Sequence, residues 1–332
     1  MHAIVDNGLA QISALAALLQ LKTADVSLNA LSLVALASST SPQTRTALTG
    51  TSALTDVLVL CPGIHLQKSA ASLSGGEYPA CAALTTGYVF RVENPATVYY
   101  LQRVGRPGHL TTLSVSGIGD RASDGTNFGV PRLAYSAAVF ATLVVSALLF
   151  SLGDWWALTF VSMLVTSRLC HTLIIRRRST YTWSGASEPG QQGDLLILLS
   201  QDRWVRMQGA VDDLKRVTSG QWLRDETFLE NSISAFATVL VYLAVALAFN
   251  ATSGGQILLF LLLISSSALL GLANATTKEL QMHGNTLRVV GEPKKYRRRL
   301  DLARELIKET GRDDWAIRMA MIDKSDGGKA VM

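Results

Sequence analysis

Long runs of apolar residues alternate with mixed polar segments along this chain, and four runs are long enough to cross a bilayer. A membrane-spanning helix needs about 20 predominantly apolar residues. The runs cover residues 133–152, 155–175, 232–249 and 256–275. The third and fourth runs contain no Asp, Glu, Lys, Arg or His, whereas a soluble helix of this length would carry a polar face. The pattern predicts two transmembrane hairpins, 132–175 and 232–275.

Basic residues flank these runs on one side only. The short connections at 153–154 and 250–255 contain no Lys or Arg. The opposite flanks hold Arg121, Arg132, Arg176, Arg177, Arg178, Arg224, Lys278, Arg288, Lys294 and Lys295. Lys and Arg accumulate in cytoplasmic loops, so both termini and the central loop are expected in the cytosol. The sequence does not indicate which membrane holds the chain.

The composition favours a membrane protein and points away from nucleic acid. Charged residues make up 17% of the 332 residues, and the net charge is +5. An average soluble protein has about 25% charged residues. In a membrane protein, excess basic charge usually faces anionic lipid. The expected partners are therefore the bilayer and its anionic head groups, and no nucleic-acid motif is present.

Residues 1–119 are predicted to form a cytosolic helical domain, followed by a polar linker over 120–131. Apolar periodicity predicts helices near 8–19, 24–38 and 52–60. The successive stretches NGLAQISALAALLQL, ADVSLNALSLVALASS, PQTRTAL and TSALTDVLVL resemble an armadillo-type helical repeat. From Gly8 to Thr51 the pattern recurs after about 43 residues, near the 40–47 typical of such repeats. The resemblance implies a protein-binding surface without catalysis, and an unrelated helical bundle remains the alternative.

The central loop, 176–231, is predicted to be a small folded cytosolic segment. Residues 195–200 and 203–207 are expected to form a hairpin around Gln201 and Asp202. The segments 211–218 and 221–230 are predicted helices. Trp204 and Trp222 are expected to anchor the loop to its own core or to the membrane interface.

The cytosolic tail, 276–332, is predicted to be basic and helical. One helix is expected over 296–310, with Leu300, Ala303 and Ile307 on one stripe and Gly311 as the C-cap. A second helix is expected from Asp313, with Trp315, Met319 and Ile322 along one face. The fold class predicted overall is mainly α.

The stretches RWVRMQGAVDDLKRVTSGQWL, PKKYRRRLDLARELI and ETGRDDWAIRMAMI resemble segments of a group of uncharacterised fungal multi-pass membrane proteins. No activity is implied by this resemblance.

Arg168 and His171 are the candidate headgroup-binding residues within the second run. They lie three positions apart and share a helix face. An ionisable residue inside a membrane span is a functional candidate by default. The alternative is that Arg168 extends to the cytosolic head groups and has no further role.

The sharpest charge cluster is basic and lies in the tail. It consists of Lys294, Lys295, Arg297, Arg298 and Arg299. Such clusters beside a membrane attract anionic lipid by about 1 kcal/mol per residue. A topology signal with a solvated helix face is the other interpretation.

Catalytic or metal-binding motifs are not apparent, so we predict no catalytic residue, metal ligand or cofactor. Cys61, His65, Cys81 and His109 fit no standard zinc spacing. The sequence thus favours a non-enzymatic membrane-anchored adaptor or scaffold that binds a cytosolic protein. Two alternatives stay open: a transporter or channel component, and a lipid-binding membrane enzyme using Arg168 and His171.

Overall fold

The computed structural model describes residues 29–66, 72–117, 129–180 and 185–323. Its α-helices are α1 (Asn29–Leu36), α2 (Ser41–Thr49), α3 (Pro95–Val104), α4 (Val130–Ser151), α5 (Trp155–Arg178), α6 (Val211–Thr218), α7 (Phe228–Leu247), α8 (Ser253–Thr276), α9 (Arg299–Thr310) and α10 (Asp314–Arg318). Its strands are β1 (Ala80–Ala83), β2 (Val89–Arg91), β3 (His109–Gly117), β4 (Gln192–Leu199), β5 (Arg203–Ala210), β6 (Leu280–Met282), β7 (Asn285–Val289) and β8 (Lys294–Lys295). Two short 3₁₀ helices, Leu54–Leu58 and Ile64–Leu66, follow α2.

Four helices are long and apolar enough to cross a membrane, which confirms the four predicted runs: α4, α5, α7 and α8. Side-chain caps explain where three of them begin. The Asp154 carboxylate accepts the Ala157 N–H at the start of α5, and Thr252 Oγ1 accepts the Gly255 N–H at the start of α8. Thr227 and Glu230 cap α7 reciprocally.

The four helices pack as two pairs, α4 with α8 and α5 with α7. Small residues at the contacts let the backbones approach closely. Ala138 of α4 and Ala273 of α8 are fully buried, as is Ala237 of α7. In the second pair, Ser167 Oγ of α5 donates to the carbonyl of Ala237 across 2.7 Å.

The described residues are largely helical, as predicted, but they also form an eight-stranded sheet that was not predicted. The strand order is β2-β1-β4-β5-β3-β7-β6, and β8 pairs with β3 beside β7. The pair β3 and β5 is parallel, and the other pairs are antiparallel. Strands from three distant segments join here, so local sequence patterns do not reveal the pairing. β1 is Ala-Cys-Ala-Ala, which has little intrinsic strand preference.

Helices cover both faces of the sheet. On one face, Leu113, Ile197 and Val205 pack with α2, α3, α6 and with Ile175 near the end of α5. On the other face, Leu196 and Trp204 pack with α9 and α10. The sheet therefore turns its first face toward the four-helix bundle and its second face away from it.

Several local predictions in the central loop and tail are confirmed. β4 and β5 form the expected hairpin, and Gln201 and Asp202 both adopt positive φ in its turn. α6 matches its predicted bounds of 211–218, and Gly311 caps α9 in the left-handed conformation. Trp204 and Trp222 are both buried in the protein's own cores, one on each face of the sheet.

Other helix predictions need correction. Residues 221–227 form no helix, because α7 starts only at Phe228 after its Thr227 cap. The tail helix begins at Arg299 and not at Tyr296, because Lys294 and Lys295 pair with β3 as a strand. The segment 52–60 contains a five-residue 3₁₀ helix in place of an α-helix.

The armadillo resemblance gains no support from the described residues. The predicted helix 8–19 and about half of the first recurrence lie outside them. Where the chain is described again, residues 72–117 contribute β1, β2 and β3 to the sheet and only one α-helix, α3.

Candidate functional site

The part of the chain before the sheet inserts between the four long helices. α1 packs against α7 and α8, the 3₁₀ helix Leu54–Leu58 against α4 and α5, and Ile64–Leu66 against α5 and α7. Leu31, Leu60 and Ile64 are buried in the core of the bundle. We call α1 together with residues 52–66 the wedge. These residues belong to the segment that was predicted to form a cytosolic domain.

The wedge reaches well into the bundle. Arg168 lies 10 residues before Arg178, about 15 Å from the sheet end of α5 at 1.5 Å per residue. Its Nε donates to the backbone carbonyl of Asp56 across 3.1 Å. The His65 ring lies 6.0 Å from the ring of Tyr242 on α7. Non-helical backbone at such a depth is tolerated in a bilayer only where protein covers it, as the helices cover the wedge here.

Asp56 is the centre of a buried polar cluster within the wedge. Its carboxylate accepts from Ser52 Oγ at 2.7 Å, from the Ala53 N–H at 2.8 Å and from Tyr135 Oη at 2.6 Å. Tyr135 belongs to α4, and the Arg45 guanidinium lies 4.9 Å from the centre of its ring. Asp56 therefore connects the wedge to α4 through its carboxylate and to α5 through its carbonyl.

The two candidate headgroup residues face the protein interior. Arg168 is 1% exposed and His171 is 3% exposed. The Nη1 atom of Arg168 is buried and meets no hydrogen-bond partner among the described residues. A buried guanidinium is costly unless a counter-charge accompanies it, and Asp56 supplies an acidic group in the same cluster. This arrangement differs from the extended, headgroup-directed Arg168 that the sequence allowed.

The basic cluster lies at the margin of the sheet beside α9. Lys294 pairs with Glu305 of α9, and Arg299 pairs with Asp202 in the turn between β4 and β5. The hydrogen bond from Lys294 holds the pKa of the Glu305 carboxyl below its usual value. Lys295, Arg297 and Arg298 are exposed. Two of the five charges are thus paired within the protein.

The apolar side of α9 contacts the sheet. Leu302, Ala303 and Leu306 are buried against it, whereas Leu300 and Ile307 are only partly buried. The buried face is therefore rotated from the predicted stripe toward Leu302 and Leu306, because packing on the sheet decides which face is covered. The apolar partner of α9 is therefore the sheet's second face, which points away from the bundle.

The cysteines and histidines considered for a metal site are not brought together. Cys61 lies in the core of the bundle and Cys81 in the core of the sheet. His109 contacts the carbonyl of Pro107 at the start of β3.

Sequence reasoning missed the wedge and Asp56, although a signal was present. Between Arg45 and Lys68 the only charged residue is Asp56, and the stretch around it is strongly apolar. Cys61-Pro62-Gly63 interrupts this stretch, so it does not read as a span. One acidic residue within an interrupted apolar segment was therefore the signal that could have indicated a re-entrant element.

Comparisons of the chain with protein-family models, with curated proteins and with solved structures found no match.

Proposed function

We propose that the chain is an integral membrane protein whose four long helices span the bilayer with both termini in the cytosol. The basic flanks support this orientation. The sheet adds support, since it draws strands from the N-terminal part, the central loop and the tail. These three segments must then lie on one side of the bundle, as four spans require.

We further propose that the protein is a non-enzymatic membrane-anchored scaffold. The observation that carries this proposal is the fixed attachment of the sheet to the inner ends of the helices. Arg103 of α3 donates to the carbonyls of Asn274 and Ala275 at the end of α8, across 2.8 and 2.7 Å. Trp222 Nε1 donates to the Gly50 carbonyl across 3.0 Å. Such contacts suit a rigid cytosolic platform held at the membrane.

The exposed basic residues Lys295, Arg297 and Arg298 are the proposed contact for an acidic surface of a cytosolic protein. Anionic lipid head groups are the other proposed ligand for the cluster. The basic cluster lies beside α9, on the side of the sheet away from the bundle. This position favours a protein partner over lipid head groups.

Affinity purification of the full chain in mild detergent tests these proposals. The variant Lys295→Gln with Arg298→Gln is compared with Arg91→Gln plus Arg132→Gln, which removes the same charge elsewhere. We expect a co-purifying protein that is lost with the first variant and kept with the second. Equal retention by both would exclude the basic cluster as the docking surface, and loss of lipid alone would favour head groups.

The orientation is tested with single cysteines in sealed vesicles. Ser253→Cys lies at the outer start of α8, and Ser187→Cys lies in the exposed central loop. A membrane-impermeant maleimide added outside right-side-out vesicles should label position 253 only. Labelling of position 187 would overturn the proposed orientation.

Transport is a second candidate, which the wedge favours. Transporters place binding sites at helix interruptions near the middle of the bilayer, and the wedge brings Asp56 and Arg168 to such a depth.

A lipid-binding enzyme using Arg168 and His171 would need lipid to displace the wedge. In purified protein, Arg168→Gln with His171→Gln should leave the scaffold's partner bound. If this variant instead abolishes lipid exchange or solute exchange in reconstituted vesicles, one of these alternatives is supported.

A further inference from the structure

The sheet ends in an edge strand whose outer side is unpaired. β2 pairs with β1 through Tyr88, Phe90 and Val92, whose backbone groups point inward. In an antiparallel strand the intervening residues direct their N–H and C=O groups to the other side. Those residues are Val89 and Arg91, which have no backbone partner on that side among the described residues. An open edge of this kind is a template for strand pairing.

One exposed and one half-buried aromatic side chain lie at the same edge. Tyr88 is 63% exposed, and its ring stacks on that of Phe90 at 5.9 Å. Phe90 packs at the rim of the core on the sheet's first face, whereas Val89 faces the second. The edge therefore offers both free hydrogen-bonding groups and an apolar contact on the bundle side.

We propose that β2 pairs antiparallel with β2 of a second copy, which makes the protein a two-fold symmetric dimer with one continuous sheet. The register that uses both free residues is centred on Phe90. Val89 then opposes Arg91 of the other copy, which gives four backbone hydrogen bonds in total. The two Phe90 residues meet as a non-hydrogen-bonded pair, where side chains are closest. A register centred on Arg91 would oppose two like charges and is disfavoured.

The symmetry of this pairing is compatible with two copies in one membrane, which must have both bundles on the same side of the continuous sheet. The two-fold axis of an antiparallel strand pair runs perpendicular to the sheet. Because the first face of the sheet points toward the bundle, the axis points the same way, and both bundles emerge on the same side. This step relies on the proposed membrane insertion, whereas the strand pairing does not.

Room for the second copy comes from the strand order. The long helices connect to the sheet at β3, at β5 through α6, at β4 and at β6. β4 is the closest of these strands to β2, two strands away, about 10 Å at 4.8 Å per strand. None of the four connections to the long helices involves β1 or β2, so the β2 edge stays accessible.

Cysteine cross-linking of the full chain in membranes tests the dimer. The variant is made in a Cys81→Ala background, because Cys81 on β1 lies directly opposite position 90 and could form a disulfide within one chain. Phe90→Cys then places two thiols, one from each copy, at a non-hydrogen-bonded pair, where Cα atoms lie about 4.5 Å apart, within the range a disulfide spans. Mild oxidation should convert most of this variant to a covalent dimer. Tyr78→Cys, an exposed position outside the pairing, should remain monomeric, as should the wild type with its native cysteines. Cross-linking no stronger than that of Tyr78→Cys would overturn the proposal.

A second substitution separates specific pairing from chance collision. Val89→Pro, added to Phe90→Cys, removes an outward N–H without touching the pairing with β1, and proline is tolerated on edge strands. Cross-linking should fall at least five-fold, while Arg91→Ala in the same background keeps it. The thermal midpoint of the proline variant shows whether the fold is intact. A dimer that persists with proline at 89 in a folded protein would refute β2 pairing, independently of whether the chain is a scaffold.

Discussion

At the residue scale, the buried carboxylate of Asp56 holds the wedge against the long helices by hydrogen bonding. It is 3% exposed and accepts three hydrogen bonds, so few of its lone pairs are left unsatisfied. Hydrogen bonds to a charged group contribute about 1.5–3 kcal/mol each. Because Tyr135 comes from α4, one of these bonds joins the wedge directly to the bundle.

Asp56→Asn and Tyr135→Phe should each lower the free energy of unfolding by about 2 kcal/mol or more. The first removes the charge from all three hydrogen bonds that the buried carboxylate accepts, and the second removes one of these bonds. The double variant should lose less than the sum, with a coupling of at least about 0.5 kcal/mol. Denaturant unfolding in detergent measures all three. Thr276→Val, which removes an exposed bond within α8, is the control and should change stability by less than about 0.5 kcal/mol. If the losses in the free energy of unfolding simply add in the double variant, the two side chains do not interact.

Two glycines of α8 should respond oppositely to alanine. A Cβ at Gly255 would collide with the Asp154 carboxylate, which also accepts from the N–H and hydroxyl of Thr252. Gly255→Ala should therefore cost about 1–3 kcal/mol, as overpacking does. A Cβ at Gly271 meets nothing within 4 Å, so Gly271→Ala should be neutral or stabilising by up to about 1 kcal/mol. Thermal midpoints in detergent measure both, and equal losses would disprove the contact with Asp154.

At the element scale, ion pairs fasten α9 to the sheet. Arg206 on β5 donates to Asp194 on β4 and to Glu309 on α9. The Arg206 guanidinium holds the pKa of Glu309 below its ordinary value near 4.5. A carboxyl with a depressed folded-state pKa stabilises above the unfolded value, and this contribution is lost as pH falls through the folded one.

The attachment of α9 should consequently weaken in acid. Between pH 6 and 5 the wild type should have a higher thermal midpoint than Glu309→Gln, and the difference should shrink as pH falls from about 4.5 toward 3. Asp301→Asn, at an exposed position of the same helix, should follow the wild type throughout. A difference that stays constant across this range would show that Glu309 stabilises by packing and not by charge.

Elements defined by local signals are the ones that sequence reasoning predicted. The hairpin of β4 and β5 follows from alternating apolar residues around a two-residue turn, and the long helices follow from uninterrupted apolar runs. The rest of the sheet depends on contacts between distant segments, such as Leu110 of β3 beside Trp204 of β5. β2 has only three residues, too few for a recognisable period. Asp56 likewise acquires its role only when the wedge meets α4 and α5, which no spacing in the chain specifies.

At the scale of the whole molecule, the sheet and the bundle should unfold together because α3 joins them. Besides the Arg103 bonds to the end of α8, Tyr100 Oη donates to the Lys278 carbonyl across 2.7 Å. The last carbonyls of a helix have no i+4 partner of their own, and at Asn274 the Arg103 bond adds to a 3.3 Å bond from the Thr277 N–H. A disturbance of the sheet thus removes bonds from the bundle, and the reverse also holds.

The native cysteines can report this coupling. Cys81 is buried in the sheet and Cys61 in the wedge. Burial raises the pKa of the Cys81 thiol, which keeps it unreactive until the sheet opens.

During a thermal ramp in detergent, labelling of the two thiols is resolved by peptide mass spectrometry. In the wild type, both thiols should become reactive at the same temperature. In Arg103→Gln with Tyr100→Phe, the attachment is lost at both points, so Cys81 should label several degrees below Cys61. Arg106→Gln, at a neighbouring exposed residue, should keep the two transitions together. If the double variant also labels both thiols at one temperature, α3 is not the coupling element, and the contacts at the two ends of α2, Trp222 with Gly50 and Asn274 with Ser41, must carry the coupling instead.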